Sequence, residues 1–348
     1  MYCKAPFPYF GGKSAIARIV WQALRQPDHY IEPFFGSGAV LLARPDWKHE
    51  MTETVNDKDG FICNVWRSIQ FSPDETAKWC DWPVNHCDLT ARKSALLKNE
   101  ERLLENLIAD PLWHDPILAG YWIWAASCWI GNGLTSLRQI PHLGNKGMGV
   151  HKFSMTEQRP HLSDKGKGVH KVSMTEQIPN LGSKGMGVHK TQIKDIYEWF
   201  NQLSYRLRRV RVVCGDWSRV CGGNWQDLSW KTVGIYFDPP YGIQDRSKVY
   251  HCDSNTIAQD VMKFCIDRGK RKNYRIVLSG YDEYEKLADY DWRKENWITR
   301  GGYSNIAGKK QTRGKINRKR ETIWYSPAIG QGGPIQTCLV GEELPSPF

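Results

Sequence analysis

Hydrophobic and polar residues alternate between two periods along this chain, and the changes of period mark out its elements. Ser14 to Arg25 carries apolar residues at helical spacing, with Ser14 placed as an N-cap. Tyr30-Ile31-Glu32-Pro33 is a short strand running into a glycine loop, and Ala39 to Ala43 begins a helix. Glu53 to Asn56 is a second strand that ends at Asp57, followed by a helical pattern over Phe61 to Ile69. Ala91 to Ile108 is amphipathic at helical spacing. Tyr121 to Ile130 is a tryptophan-rich helix whose Trp122, Trp124 and Trp129 are expected to pack in a core rather than to stack on a ligand. Short apolar runs of strand character return at Arg209 to Cys214, Val233 to Phe237, Arg275 to Ser279 and Glu321 to Tyr325. Strands alternating with helices predict an α/β fold with a doubly wound sheet.

An insertion splits that sheet in sequence. Ile140 to Gln158, Arg159 to Gln177 and Ile178 to Lys190 repeat one pattern with a period of 19 residues, the last copy truncated. Each copy is too poor in apolar residues to build a solenoid core. Glycines at alternating positions point to a loop or hairpin-like arm. From Arg138 to Lys190 there are nine Lys or Arg against three Asp or Glu. Arg138, Lys146, Lys152, Lys165, Lys171 and Lys184 are the candidate phosphate contacts of this arm. His151, His170 and His189 recur because they are copied with the repeat, and no metal is expected there. The domains expected are 1–70 with 191–330, an insertion at 71–190, and a dispensable tail at 331–348.

The 348 residues suffice for about two domains. A net charge of +11 favours a polyanionic partner such as nucleic acid. Ten cysteines without a CxxC pair suggest reduced thiols rather than a metal site or a disulfide framework. With no long apolar span and no signal-like start, a cytoplasmic protein without membrane contact is expected.

Chemistry gathers at the ends of the expected strands. Asp238-Pro239-Pro240-Tyr241 follows the run Val233 to Phe237, so two stiff prolines hold a carboxylate and a ring at a strand's carboxyl end. An anionic acceptor beside a stacking surface suits a planar base with an exocyclic amino group. Pro8-Tyr9-Phe10-Gly11-Gly12-Lys13 offers a ring at Tyr9, close backbone approach at Gly11 and Gly12, and a cation at Lys13 that can meet a carboxylate. Glu32-Pro33-Phe34-Phe35-Gly36-Ser37-Gly38 joins a strand to a helix, where Gly36 and Gly38 permit a tight turn for a cofactor. It lacks the GxGxxG of dinucleotide binders, which argues against NAD. Asp57 ends the next strand and can hold ribose hydroxyls; Asp216 and Trp217 follow another, where a carboxylate can accept from an adenine amino group.

Taken in this order, the motifs resemble those of Dam-type (D12 class) DNA adenine-N6 methyltransferases, of the sort often carried by phages and prophages. The likeness covers about 1–70 and 191–327. It implies a Rossmann-like S-adenosylmethionine-dependent methyltransferase fold with an inserted, mainly helical and loop target-recognition domain. PYFGGK is similar to the family's first cofactor motif, EPFFGSG to its glycine loop, and Asp57 to its ribose-holding acid. Asp216 stands where the family contacts the cofactor's adenine, and Asp238 to Tyr241 stand as the catalytic motif. Trp129 to Leu134 resembles the lead into the family's recognition hairpin, which the repeats replace, so no target sequence carries over. The resemblance implies double-stranded DNA as partner, S-adenosylmethionine as cofactor and no metal. The expected mechanism flips the target adenine onto Tyr241, with Asp238 and the Pro239 carbonyl accepting its amino hydrogens. Arg246 and Lys248 follow the catalytic loop and are placed to close over the base. Lys309, Lys310 and Arg313 lie in a stretch, Arg300 to Arg320, with eight cations and no acid. Two other readings stand beside this one: cytosine-N4 methylation on the same fold, and a DNA-binding protein without catalysis.

Overall fold

The computed structural model describes residues 4–7, 9, 13–128, 196–222, 231–240, 256–296 and 322–330. Its frame is a seven-stranded sheet. The strands are β1 (His29–Glu32), β2 (Thr52–Asp57), β3 (Val210–Cys214), β4 (Val233–Phe237), β5 (Tyr274–Gly280), β6 (Arg293–Asn296) and β7 (Thr322–Tyr325). Their order across the sheet is β3-β2-β1-β4-β5-β7-β6. The five strands from β3 to β5 are parallel, and β7 runs antiparallel between β5 and β6.

Side chains alternate between two cores, one on each face of the sheet. Tyr30, Tyr236, Val277, Ile323 and Tyr325 point into one core; Ile31, Ile235, Phe237, Ile276, Leu278 and Trp324 point into the other. Burial on both faces explains why these strands read as continuous apolar runs instead of alternating ones. The first face is covered by α1 (Ala17–Leu24), α2 (Ala39–Leu42), α3 (Gly60–Phe71), α4 (Pro73–Cys80), α5 (His86–Ala109), α6 (Pro116–Cys128) and α7 (Ile196–Leu207). The second is covered by α8 (Ser218–Cys221), α9 (Ile257–Arg268) and a 3₁₀ helix, Asp282–Tyr290.

Helices α4 to α6, from the segment expected as an insertion, lie on the same core as α3. Leu96, Leu103 and Leu107 of α5 and Leu118, Trp122 and Ile123 of α6 are buried with Ile62 and Trp66. Trp122 and Trp124 are core residues, as their spacing predicts, while Trp129 lies outside the described residues. The repeats at 140–190 lie outside them too.

Two details depart from the sequence expectation. Helix α1 begins at Ala17, not at a Ser14 cap, because the carbonyl of Lys13 accepts from the backbone N–H of both Ile16 and Ala17 and starts a turn there. Strand β6, Arg-Lys-Glu-Asn, has no apolar pattern: it is an edge strand with side chains half or fully exposed.

At the floor of the sheet a buried ion-pair triad joins three segments. Glu53 of β2 accepts from Arg206 of α7 through both carboxylate oxygens, at 2.7 and 2.8 Å, and from Arg44 at 2.9 Å. Arg206 also donates to the Leu41 carbonyl at 2.9 Å. The chain that returns at α7 is thereby fixed to β2 and to the loop after α2. Among the described residues, no helix is long and apolar enough to cross a membrane.

Candidate active site

The sheet order reverses between β1 and β4, and ligands of open α/β sheets bind where the carboxyl ends of strands flank such a switch. All the candidate residues that lie within the described chain gather at that edge.

From β1, Glu32 is buried and accepts from the Tyr30 hydroxyl at 2.8 Å. Burial pushes its carboxyl up to about 8, and the neighbouring charge of Asp238 adds to the rise. The loop that follows is pinned by its backbone. Phe35 N donates to the Asn56 carbonyl at 2.9 Å, and Gly36 N to Asp57 Oδ2 at 2.8 Å. The Gly36 carbonyl accepts from Trp66 Nε1 at 2.9 Å. Gly36 has φ +48°, and a Cβ there would stand 2.5 Å from the Tyr9 ring. Gly38, at φ +63°, ends the loop directly before α2, where a Cβ would stand 2.7 Å from the Phe35 ring. Glycine is required at both positions for these two reasons together. Phe34 and Ser37 remain half-buried at the loop's surface.

From β2, Asp57 also accepts from Asp59 N at 2.9 Å. Burial, and then the charge of Asp59, push its carboxyl up to about 7 despite these donors. Its neighbour Asn56 ties three strand ends together: Nδ2 donates to the Pro33 carbonyl at 3.0 Å and to the Gly215 carbonyl at 3.1 Å. From β3, Gly215 N donates to the Asp57 carbonyl at 2.9 Å. Asp216 is exposed, and its Oδ1 accepts from Ser218 N and Oγ at 3.0 and 2.6 Å. Trp217 stacks on Phe34 at 6.4 Å between centroids and meets Phe237 and Phe264 edge-on.

From β4, Asp238 emerges next to the loop from β1, and its Oδ1 lies 3.2 Å from Lys13 Nζ. Lys13 is 6% exposed and Asp238 20%, so the pair is shielded but reachable. Pro239 is buried and Pro240 half-buried. The N-terminal motif therefore meets the strand-end motif although 225 positions separate Lys13 from Asp238.

Tyr241, Gly11 and Gly12 lie outside the described residues, as do the basic candidates Arg138, Lys146, Lys152, Lys165, Lys171, Lys184, Arg246, Lys248, Lys309, Lys310 and Arg313. Two positioning residues went unread in the sequence. Trp66 gives no local signal of its bond to Gly36. Asn56 stands beside Asp57 at a strand end, and that placement was its available signal.

The edge can hold a nucleoside-bearing cofactor: a glycine loop with bare backbone, a buried carboxylate at Asp57 and an aromatic pair at Phe34 and Trp217 fit such a group. Beside it stands a carboxylate held by a cation. No curated protein matches the chain. Residues 9–103 match the family model described as D12 class N6 adenine-specific DNA methyltransferase, which spans the Tyr9–Lys13 segment, the glycine loop and Asp57. Over residues 9–103 the chain is thus similar to the D12 class N6 adenine-specific DNA methyltransferases, enzymes that methylate adenine N6 in DNA with S-adenosylmethionine.

Proposed function

We propose that the switch-point edge is the catalytic centre and that Asp238, Pro239, Pro240 and Tyr241 form its acceptor site for a flipped adenine of double-stranded DNA. The observation that carries this reading is the Lys13–Asp238 contact of 3.2 Å at the carboxyl end of β4. S-adenosylmethionine, when bound, supplies an electrophilic methyl group. The rest of the work falls to the chain. Asp57 holds ribose hydroxyls, Gly36 to Gly38 give backbone approach, and Asp216 with Phe34 and Trp217 frames the adenine ring. Tyr9, Gly11 and Gly12 are the further cofactor contacts of this reading, and Glu32 braces the glycine loop through Tyr30.

On the DNA side, the Asp238 carboxylate and the Pro239 carbonyl accept the two amino hydrogens of the target base. That turns the nitrogen lone pair away from the ring and toward the cofactor's side. Lys13 holds the Asp238 carboxylate in place by charge and shields it from water, so the acceptor is organised before the base arrives. Tyr241 offers the stacking face that offsets part of the unstacking cost of about a few kcal/mol. Positioning and electrostatics suffice, and no covalent enzyme intermediate is needed.

The catalytic fold in this reading is Rossmann-like, built from 1–70 and 191–330. Residues 71–190 act as the recognition insertion, with α4 to α6 as its base and the repeats as its DNA-reading part, and the setting is cytoplasmic. The test is methyl transfer from labelled S-adenosylmethionine to unmethylated duplex DNA, with nucleoside mass spectrometry of the product. The wild type is expected to yield N6-methyladenine. Asp238→Ala is expected to lose at least a thousandfold in turnover, the scale of removing one electrostatic stabiliser or more (about 10²–10³ each), while still binding the cofactor. Unchanged turnover in Asp238→Ala would sink the assignment.

A further inference from the structure

The opposite edge of the sheet carries a second concentration of positive charge. The segments 25–28, 231–232 and 267–275 meet at the amino ends of β1, β4 and β5. Together they hold seven Lys or Arg against two Asp. Hydrogen bonds lock the segments to one another. Val233 N donates to the Asn273 carbonyl at 2.8 Å, Asn273 Nδ2 to the Lys231 carbonyl at 3.2 Å, and Arg275 to the Leu24 and Arg25 carbonyls at 2.9 and 3.3 Å. Two successive backbone turns, Arg271 N to Arg268 O and Tyr274 N to Arg271 O, set Lys270, Arg271 and Lys272 on the surface. Both carboxylates are already engaged: Asp28 accepts from Thr232 N and Oγ1 at 2.7 and 2.9 Å, and Asp267 lies 3.5 Å from Arg268. Lys270 Nζ also stands 5.5 Å from the Tyr290 ring, whose chain neighbours Asp289 and Asp291 are exposed, so cations outnumber acids here by seven to four, an excess that suits a phosphate backbone.

This rim is not part of the catalytic edge. Seven steps of mostly extended chain lead from Lys231 to Asp238, about 23 Å at roughly 3.3 Å per residue. A duplex presenting its base to Asp238 lies across the other end of the strands. Among the described residues the rim's rings are covered: Tyr274 is buried beneath Arg268 and Arg271, each 5.8 Å from its ring, and Tyr290 is half-buried with Lys270 Nζ 5.5 Å from its ring. Single strands are held by stacking on such rings, whereas a duplex needs phosphate contacts alone.

We propose that Arg25, Lys231, Lys270, Arg271 and Lys272 bind the backbone of a second duplex DNA segment while the first occupies the catalytic edge. The proposal rests on the reading that Asp238 marks the catalytic end. Two-segment binding would let the enzyme pass between duplexes without returning to free solution.

The test counts duplexes per full-length chain at low salt by analytical ultracentrifugation, using a short duplex already seen to be methylated. Wild type is expected to bind two, and Lys270→Gln/Arg271→Gln/Lys272→Gln to bind one with unchanged turnover on that duplex. For loading of the second duplex by wild type, log affinity should fall against log salt with a slope of about −4.5, at roughly 0.9 for each of the five proposed phosphate contacts. One duplex per wild-type chain overturns the proposal, and so does a second duplex held equally well by the triple variant. Displacement of the second duplex by an RNA hairpin at lower concentration than by DNA overturns the assignment to DNA. Failure of the catalytic reading is seen separately, as absence of turnover in the same samples.

Discussion

Gly36→Ala is the sharpest perturbation of the cofactor loop, because two separable costs meet at one atom. At φ +48° an L side chain is strained by about 1–2 kcal/mol. The new Cβ would also stand 2.5 Å from the Tyr9 ring, against about 3.5–4.0 Å for a normal carbon contact, so the ring has to move by about 1 Å. Overpacking of that kind costs about 1–3 kcal/mol. The total is about 2–5 kcal/mol. In the proposed role of Tyr9 on the cofactor's side, a ring that swings aside to relieve the clash has to be pushed back on cofactor binding. At tenfold per 1.4 kcal/mol, the steric part alone weakens cofactor affinity by about 5- to 140-fold. The assay is calorimetric titration with S-adenosylmethionine of four proteins: wild type, Gly36→Ala, Tyr9→Ala and the double variant. Removing the ring relieves the clash and leaves the backbone strain, so the cycle should give a coupling energy of about 1–3 kcal/mol. Additive effects, within about 0.3–0.5 kcal/mol, would refute the packing of Tyr9 over Gly36.

Asp57 should make cofactor binding depend on pH near neutrality. Its folded value, about 7, lies above the ordinary 3.8, so its ionised form is the costly one: it detracts from stability as pH rises through that window and is relieved as pH falls. In its proposed role Asp57 accepts from ribose hydroxyls more strongly when ionised, so affinity should fall by up to about tenfold for each pH unit below 7, and Asp57→Asn should flatten that profile. A wild-type profile already flat from pH 6 to 8 counts against the role. At the floor of the sheet, Glu53→Gln leaves two buried guanidinium groups without their counter-charge, and urea unfolding should register a loss of about 3–5 kcal/mol. A loss under about 1 kcal/mol would mean that the triad is solvated in solution.

Six of the seven strands were legible because the sheet is covered on both faces, so nearly every position in β4 and β5 is apolar. β6 was not, since an exposed edge strand of Arg, Lys, Glu and Asn leaves no hydrophobic trace. The site divides in the same way. The EPFFGSG loop, Asp238 to Pro240 and the strand-end acids are local patterns, visible in the sequence; the convergence of Lys13 on Asp238 follows once β1 and β4 are neighbours. What stayed hidden were bonds between distant positions. Asn56 bridging Pro33 and Gly215, and Trp66 holding the Gly36 carbonyl, depend on register and helix placement that no single segment encodes. The α1 cap was misplaced because Lys13 is held down by an acid far along the chain, which moved the first turn onto its carbonyl.

The Arg44–Glu53–Arg206 triad bears on how this enzyme evolves. It clamps the returning chain at α7, just as packing of α6 on α3 clamps the departing chain, and neither anchor measures how many residues lie between them. Closing a longer loop is inexpensive: one further 19-residue copy raises the entropic cost by about 0.2 kcal/mol. Recombination between the near-identical copies can therefore add or delete a unit while the catalytic half folds unchanged. Repeat number becomes a heritable variable insulated from selection on stability, and under the proposed role of the repeats it is the variable through which target preference would change.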